Sequence, residues 1–186
     1  MEAIVTRNLI AVLAVTAALA TACGSGTGSQ PATPAAAPPV AAASSAPGAA
    51  PVPAQLQFTA TTISGQQFSG ESLVGKPAVI WFWAPWCPTC QREAPTVGKL
   101  AAANPDVTFL GVAGLDEVAA MKEFVEKYPV NDFTQLADTD GSIWTRFGVT
   151  QQPAYAFIDA EGGVDVARGS LSETELTERV SALSGR

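Results

Sequence analysis

Ala78-Val79-Ile80-Trp81-Phe82-Trp83-Ala84-Pro85-Trp86-Cys87-Pro88-Thr89-Cys90 is the stretch whose reading decides the fold. Residues 78–83 are an unbroken apolar run between Gly75-Lys76-Pro77 and Ala84-Pro85, the pattern of a strand buried on both faces. A helix pattern begins at once behind it, so the two cysteines, two residues apart, fall at a strand-to-helix handover. That spacing at a helix start lets the sulfurs approach to disulfide distance. It also sets the first thiol beside unpaired backbone N–H groups and the positive end of the helix dipole, which favour thiolate over thiol. Cys87 is therefore expected to be the nucleophile. Cys90, one turn along and deeper, is expected to be the resolving thiol that expels a mixed-disulfide partner.

Other uses of the pair fare worse. A zinc knuckle needs four ligands, and with 0 His and 3 Cys in all the chain cannot supply a Cys/His set. No metal site is expected. A purely structural disulfide gains little from closing so short a loop, because the entropic benefit grows with loop length.

Working outward, residues 55–61 and 66–69 flank Ser64-Gly65 and read as a β-hairpin. Residues 88–103 read as a helix with Ala94, Val97, Leu100 and Ala101 on one face and Pro95 as a kink. Residues 107–113 form a second buried strand, and in 117–128 Val118, Met121, Phe124 and Val125 repeat at helical spacing. A short helix is expected at 141–147. Strands at 154–159 and 164–168 flank Ala160-Glu161-Gly162-Gly163 as an antiparallel hairpin, and 172–183 carries the stripe Leu176, Val180, Leu183. This order predicts an α/β domain, a mixed central sheet with helices on both faces.

The 186 residues carry a net charge of −7, and between Arg7 and Glu71 there is no charged side chain. A pI near 4.5 without a basic cluster argues against nucleic acid as a partner, since phosphate binding depends on Lys and Arg. Residues 9–22, LIAVLAVTAALATA, are too short for a membrane span and fit the apolar region of a secretory signal. They run through small residues into Cys23, resembling the lipobox of bacterial lipoproteins, although Ala20 stands where Leu is usual. The resemblance implies acylation of Cys23; the alternative is a plain cleaved signal with a leftover thiol. Residues 24–53 contain 7 Pro and 10 Ala and no charge, the composition of an unstructured tether. Flexible-coil scaling gives it a span of roughly 30 Å. The expected organisation is thus a signal over 1–22, a tether over 23–54 and a domain over 55–186.

The segment from Phe82 to Cys90 resembles the active site of thioredoxin-like proteins, specifically the extracytoplasmic branch containing TlpA, ResA and DsbE. The resemblance implies a thioredoxin-like fold with an N-terminal β-hairpin extension. It also implies thiol–disulfide exchange on thiols and disulfides of secreted or membrane-associated proteins, an electron-transfer partner, and no bound cofactor. Trp86, Pro88 and Thr89 are then active-site support. Gln152-Pro153 matches the family's cis-proline opposite the CxxC, where the backbone of Gln152 would offer a short edge to an extended client. Glu93 matches a glutamate that in ResA-like relatives could relay protons to Cys90; its plainer role is a solvated carboxylate in the first turns of a helix. One position departs from cytoplasmic thioredoxins: Trp81 replaces a buried Asp, so no acid–base role passes to it. Two directions of exchange fit these residues, oxidation or exchange of disulfides in exported proteins and a dedicated reductase of the cytochrome c maturation type. A copper carrier of related fold would want a CxxxC and a His, and both are missing.

Overall fold

The structure, a computed structural model, describes residues 52–185. The expected signal, Cys23 and the tether as far as residue 51 lie outside the described residues. From 52 onward the chain is already part of the folded body: Val52 packs on the core, and a 3₁₀ turn at Ala54–Leu56 buries Leu56 completely.

Eleven regular elements follow. They are β1 (Thr59–Thr61), β2 (Gln67–Ser69), β3 (Ala78–Trp83), α1 (Pro88–Ala103), β4 (Thr108–Gly114), α2 (Val118–Lys127), β5 (Thr134–Asp138), α3 (Ser142–Arg146), β6 (Ala154–Ile158), β7 (Val164–Arg168) and α4 (Glu173–Ser184), with a further 3₁₀ turn at Gly70–Leu73. The five-stranded sheet has the order β5-β4-β3-β6-β7, in which β3, β4 and β5 are parallel while β6 and β7 run antiparallel to their neighbours. The expected mixed sheet and the hairpin of β6 and β7 are both present. β5 was not expected. The N-terminal hairpin is shorter than expected, three residues a strand, and hangs on the edge of the main sheet through an isolated Thr62–Leu136 bridge and an Ile63 N–H bond to the Gln135 carbonyl at 2.9 Å.

β3 lies at the centre, and all six of its residues have 0 % exposure, as the apolar run requires. Because side chains alternate along a strand, Val79, Trp81 and Trp83 face one layer, with α1, α2 and α4; Ala78, Ile80 and Phe82 face the other, with α3 and Leu73. Helices therefore cover both faces, and β3 delivers its C-terminal end directly to α1.

Candidate active site

The site is built where β3 ends and α1 begins. Cys87 is the N-cap of α1, and its Sγ accepts the backbone N–H of Cys90 at 3.2 Å, satisfying one of the donors that a helix start leaves open. Pro88 occupies the first helical position, where a missing N–H costs nothing. Thr89 Oγ1 accepts from Arg92 Nη2 at 2.8 Å, and Gln91 Nε2 donates to the Pro85 carbonyl at 2.9 Å, so the turn is braced on both sides.

The two sulfurs differ in setting. Cys87 keeps 4 % of its surface and Cys90 none, and both are free thiols. Burial pushes the Cys90 thiol far above its usual range, reinforced by its contact with Cys87 and by the Glu93 charge, with a backbone contact from Ala84 opposing. Trp86 and Leu115 are the exposed large apolar side chains among the described residues, at 53 % and 55 %. They stand together, because Trp86 Nε1 donates to the Leu115 carbonyl at 3.1 Å, with Leu115 held at φ 61°, a left-handed backbone that non-glycine residues seldom adopt.

Gln152-Pro153 is a cis peptide bond, as expected. Ala154 pairs with Phe82 in the antiparallel β3–β6 ladder, so Pro153 sits level with Trp83, at the end of the sheet that carries the cysteines. The Pro153 carbonyl accepts from Gly169 N–H at 3.0 Å. Glu93, on the second turn of α1, is partly buried rather than free in solvent. Its Oε2 accepts from Tyr155 Oη at 2.6 Å and its Oε1 from Ser170 Oγ. Trp81 is wholly enclosed, stacked on Trp83 at 5.6 Å. All the sequence-predicted positions from Trp86 to Glu93, and Gln152-Pro153, thus converge on one end of the sheet. Leu115, Tyr155 and Ser170 join them unannounced. Tyr155 and Ser170 contact Glu93 across 62 and 77 residues, and only a pairing register could have revealed them.

Residues 51–167 match the AhpC/TSA family. The chain belongs to the AhpC/TSA family. The solved structure of MTB DsbF in its mixed oxidized and reduced forms is 71% identical, with a TM-score of 0.71, covering 72% of this chain and 99% of that one. A secreted Mycobacterium tuberculosis disulfide oxidoreductase homologous to E. coli DsbE is 53% identical, with a TM-score of 0.67, covering 69% of this chain and 98% of that one. The thiol:disulfide interchange protein DsbE of Pseudomonas fluorescens biotype C is 31% identical over 134 residues, 71% of this chain and 72% of the relative. This member of the AhpC/TSA family is a thiol–disulfide oxidoreductase of thioredoxin-like fold.

Proposed function

We propose that the Cys87–Cys90 pair oxidises or exchanges disulfides in proteins outside the cytoplasm, with Cys87 meeting the client and Cys90 resolving. The observation that carries this reading is the asymmetry of the pair. Both sulfurs are buried, but Cys87 keeps 4 % of its surface and directly follows exposed Trp86, whose indole holds Leu115, whereas Cys90 keeps none and burial disfavours its thiolate.

In the oxidative direction a client thiolate attacks Cys87 Sγ of the disulfide. The Cys87–Cys90 bond breaks, its electron pair leaves on Cys90, and Cys90 takes up a proton. A second client thiolate then attacks the client sulfur of the mixed disulfide, forming the client disulfide and releasing Cys87. Each turnover leaves two electrons on the pair, which an electron-transfer partner must remove. Glu93 stands one helical turn after Cys90 on α1 and its charge is felt at that sulfur; in this reading it is the proton donor and acceptor for Cys90. With Trp81 in place of an acid, the core cluster that holds Cys90 offers no carboxylate for this purpose among the described residues. Trp86 and Leu115 give an unfolded client an apolar lip, and the Gln152 backbone gives it an edge to pair with. Acylation of Cys23 and the tether would hold this domain within tens of ångströms of the outer face of the cytoplasmic membrane.

Trapping the redox state in cells by rapid thiol alkylation tests the direction. A pair held mainly as disulfide is the expected result. A pair held mainly as dithiol overturns the oxidative reading and assigns the domain to reduction of a client such as an apocytochrome.

A further inference from the structure

The carboxylate of Glu93 is held at both oxygens by hydroxyls in opposite settings, one buried and one exposed. Tyr155 is fully buried in β6, directly opposite Trp81 in the sheet, and its hydroxyl donates to Oε2. Burial, then the Glu93 charge, raises the Tyr155 hydroxyl so far that it remains a donor across the physiological range. Ser170, by contrast, is exposed, and its hydroxyl meets Oε1. A serine hydroxyl both donates and accepts, so it can serve Glu93 in either protonation state; the tyrosine, fixed as a donor, marks Oε2 as the oxygen that stays unprotonated. Ser170 and Glu93 also line a cleft of about 130 Å³ with Thr89, Thr96 and Glu173. Such a space admits several waters.

We propose that Tyr155 and Ser170 are positioning residues for Glu93, the tyrosine fixing the carboxylate one helical turn from Cys90 and the serine linking it to solvent, so that Cys90 exchanges its proton with water through Glu93 and Ser170. This rests on the assignment of Glu93 as the proton partner of Cys90. When Cys90 leaves with its electron pair, the proton of Glu93 passes to its sulfur, and the carboxylate is reprotonated from water by way of Ser170. When a mixed disulfide on Cys87 is resolved, Cys90 gives its proton to Glu93, its electron pair attacks Cys87 Sγ, and the other thiolate is expelled. Among the described residues, the charged and titratable groups that share the cleft with Glu93 or feel its charge are Cys90 and Arg92 on α1, Tyr155 on β6 and Glu173 on α4, the last already engaged by Lys99 at 3.3 Å.

The test reacts Cys87 of the reduced chain with the symmetrical disulfide dithiobis(nitrobenzoate), which leaves one thionitrobenzoate on Cys87 and expels the other, and follows release of the bound one by Cys90 at pH values from mildly acidic to mildly alkaline. Wild type is compared with Glu93→Gln, Tyr155→Phe, Ser170→Ala and Ser170→Thr. Glu93→Gln is expected to slow release at least tenfold at neutral pH. Tyr155→Phe and Ser170→Ala should each slow it at least threefold and displace the pH midpoint, while Ser170→Thr, which keeps a hydroxyl, should restore the profile. Because Ser170 is exposed, its variants report even where Tyr155→Phe folds poorly. If Glu93→Gln is slow but both hydroxyl deletions keep the wild-type profile, the positioning inference is wrong and the Glu93 assignment stands. If Glu93→Gln itself is unchanged, the assignment fails first. Deletions that lower thermal stability alone, with the profile intact, also overturn the inference.

Discussion

Trp81 and Trp83 lie two residues apart on the same face of β3, both at 0 % exposure, yet their indole N–H groups are treated oppositely. Trp83 Nε1 donates to Gln135 Oε1 at 3.1 Å, and Gln135 Nε2 passes the chain on to the Val130 carbonyl at 2.6 Å. Trp81 Nε1 is buried with no partner among the described residues. Replacing either by Phe removes a similar volume from the same stack, so the cavity costs nearly cancel in a comparison. Trp83→Phe additionally strands the Gln135 carbonyl oxygen in the core, a desolvation loss of about 1–3 kcal/mol, whereas Trp81→Phe deletes a donor that was already unsatisfied. Urea unfolding of the reduced protein should therefore show Trp83→Phe the more destabilised of the two by about 2 kcal/mol. Equal losses would mean that the Trp83–Gln135 bond contributes nothing net.

At the scale of elements, α1 presents both cysteines and Glu93, and its seat is set by a glycine. A Cβ at Gly98 would lie 1.8 Å from the Pro129 carbonyl oxygen, in the loop between α2 and β5. Helix propensity favours Ala over Gly by about 1 kcal/mol, but the obstructing atom is backbone and cannot swing aside, and overpacking of this kind costs about 1–3 kcal/mol. The clash wins: Gly98→Ala should lower the thermal midpoint by several degrees, and a rise would show that the loop yields freely. The same scale explains which elements could be read in advance. β3, α1 and α4 announce themselves through local signals, an apolar run, a capped start at Cys87, and Leu176, Val180 and Leu183 at helical spacing. β5 escaped because its buried positions are polar as well as apolar. Gln135 spends its side chain on Trp83 and Val130, and Asp138 accepts the N–H groups of Ile143 and Trp144 at the start of α3. A strand that spends its inward side chains on hydrogen bonds shows no hydrophobic period. The hairpin likewise read too long, because residues 54–56 curl into a 3₁₀ turn to bury Leu56 instead of extending β1.

Across the whole molecule, the site was legible where its chemistry is consecutive in sequence, from Trp86 to Glu93 and at Gln152-Pro153, and opaque where distant segments meet, as Tyr155 and Ser170 do at Glu93. Burial in the assembled core, more than any single contact, ties the stability of the fold to pH. Cys90 is raised above 9.0, first by burial and then by its contact with Cys87, and Tyr155 is raised above 10.0, first by burial and then by the Glu93 charge. In the unfolded chain both groups lose their protons near their ordinary values, while in the folded chain both keep them. Below pH 9 the two states bind these protons equally and stability does not depend on them. Above it the unfolded state binds fewer, so stability falls as pH rises, by on the order of 1 kcal/mol per pH unit for each group that is titrating. Chemical unfolding of the reduced protein between pH 7 and 10.5 should accordingly show a decline that begins near pH 9 and steepens near 10. Reduced Cys90→Ser should lose the first part of that decline, and Tyr155→Phe the second. If all three proteins lose stability in parallel, the buried thiol and phenol are not the source of the alkaline sensitivity, and the enclosure assigned to Cys90 as the resolving sulfur is wrong.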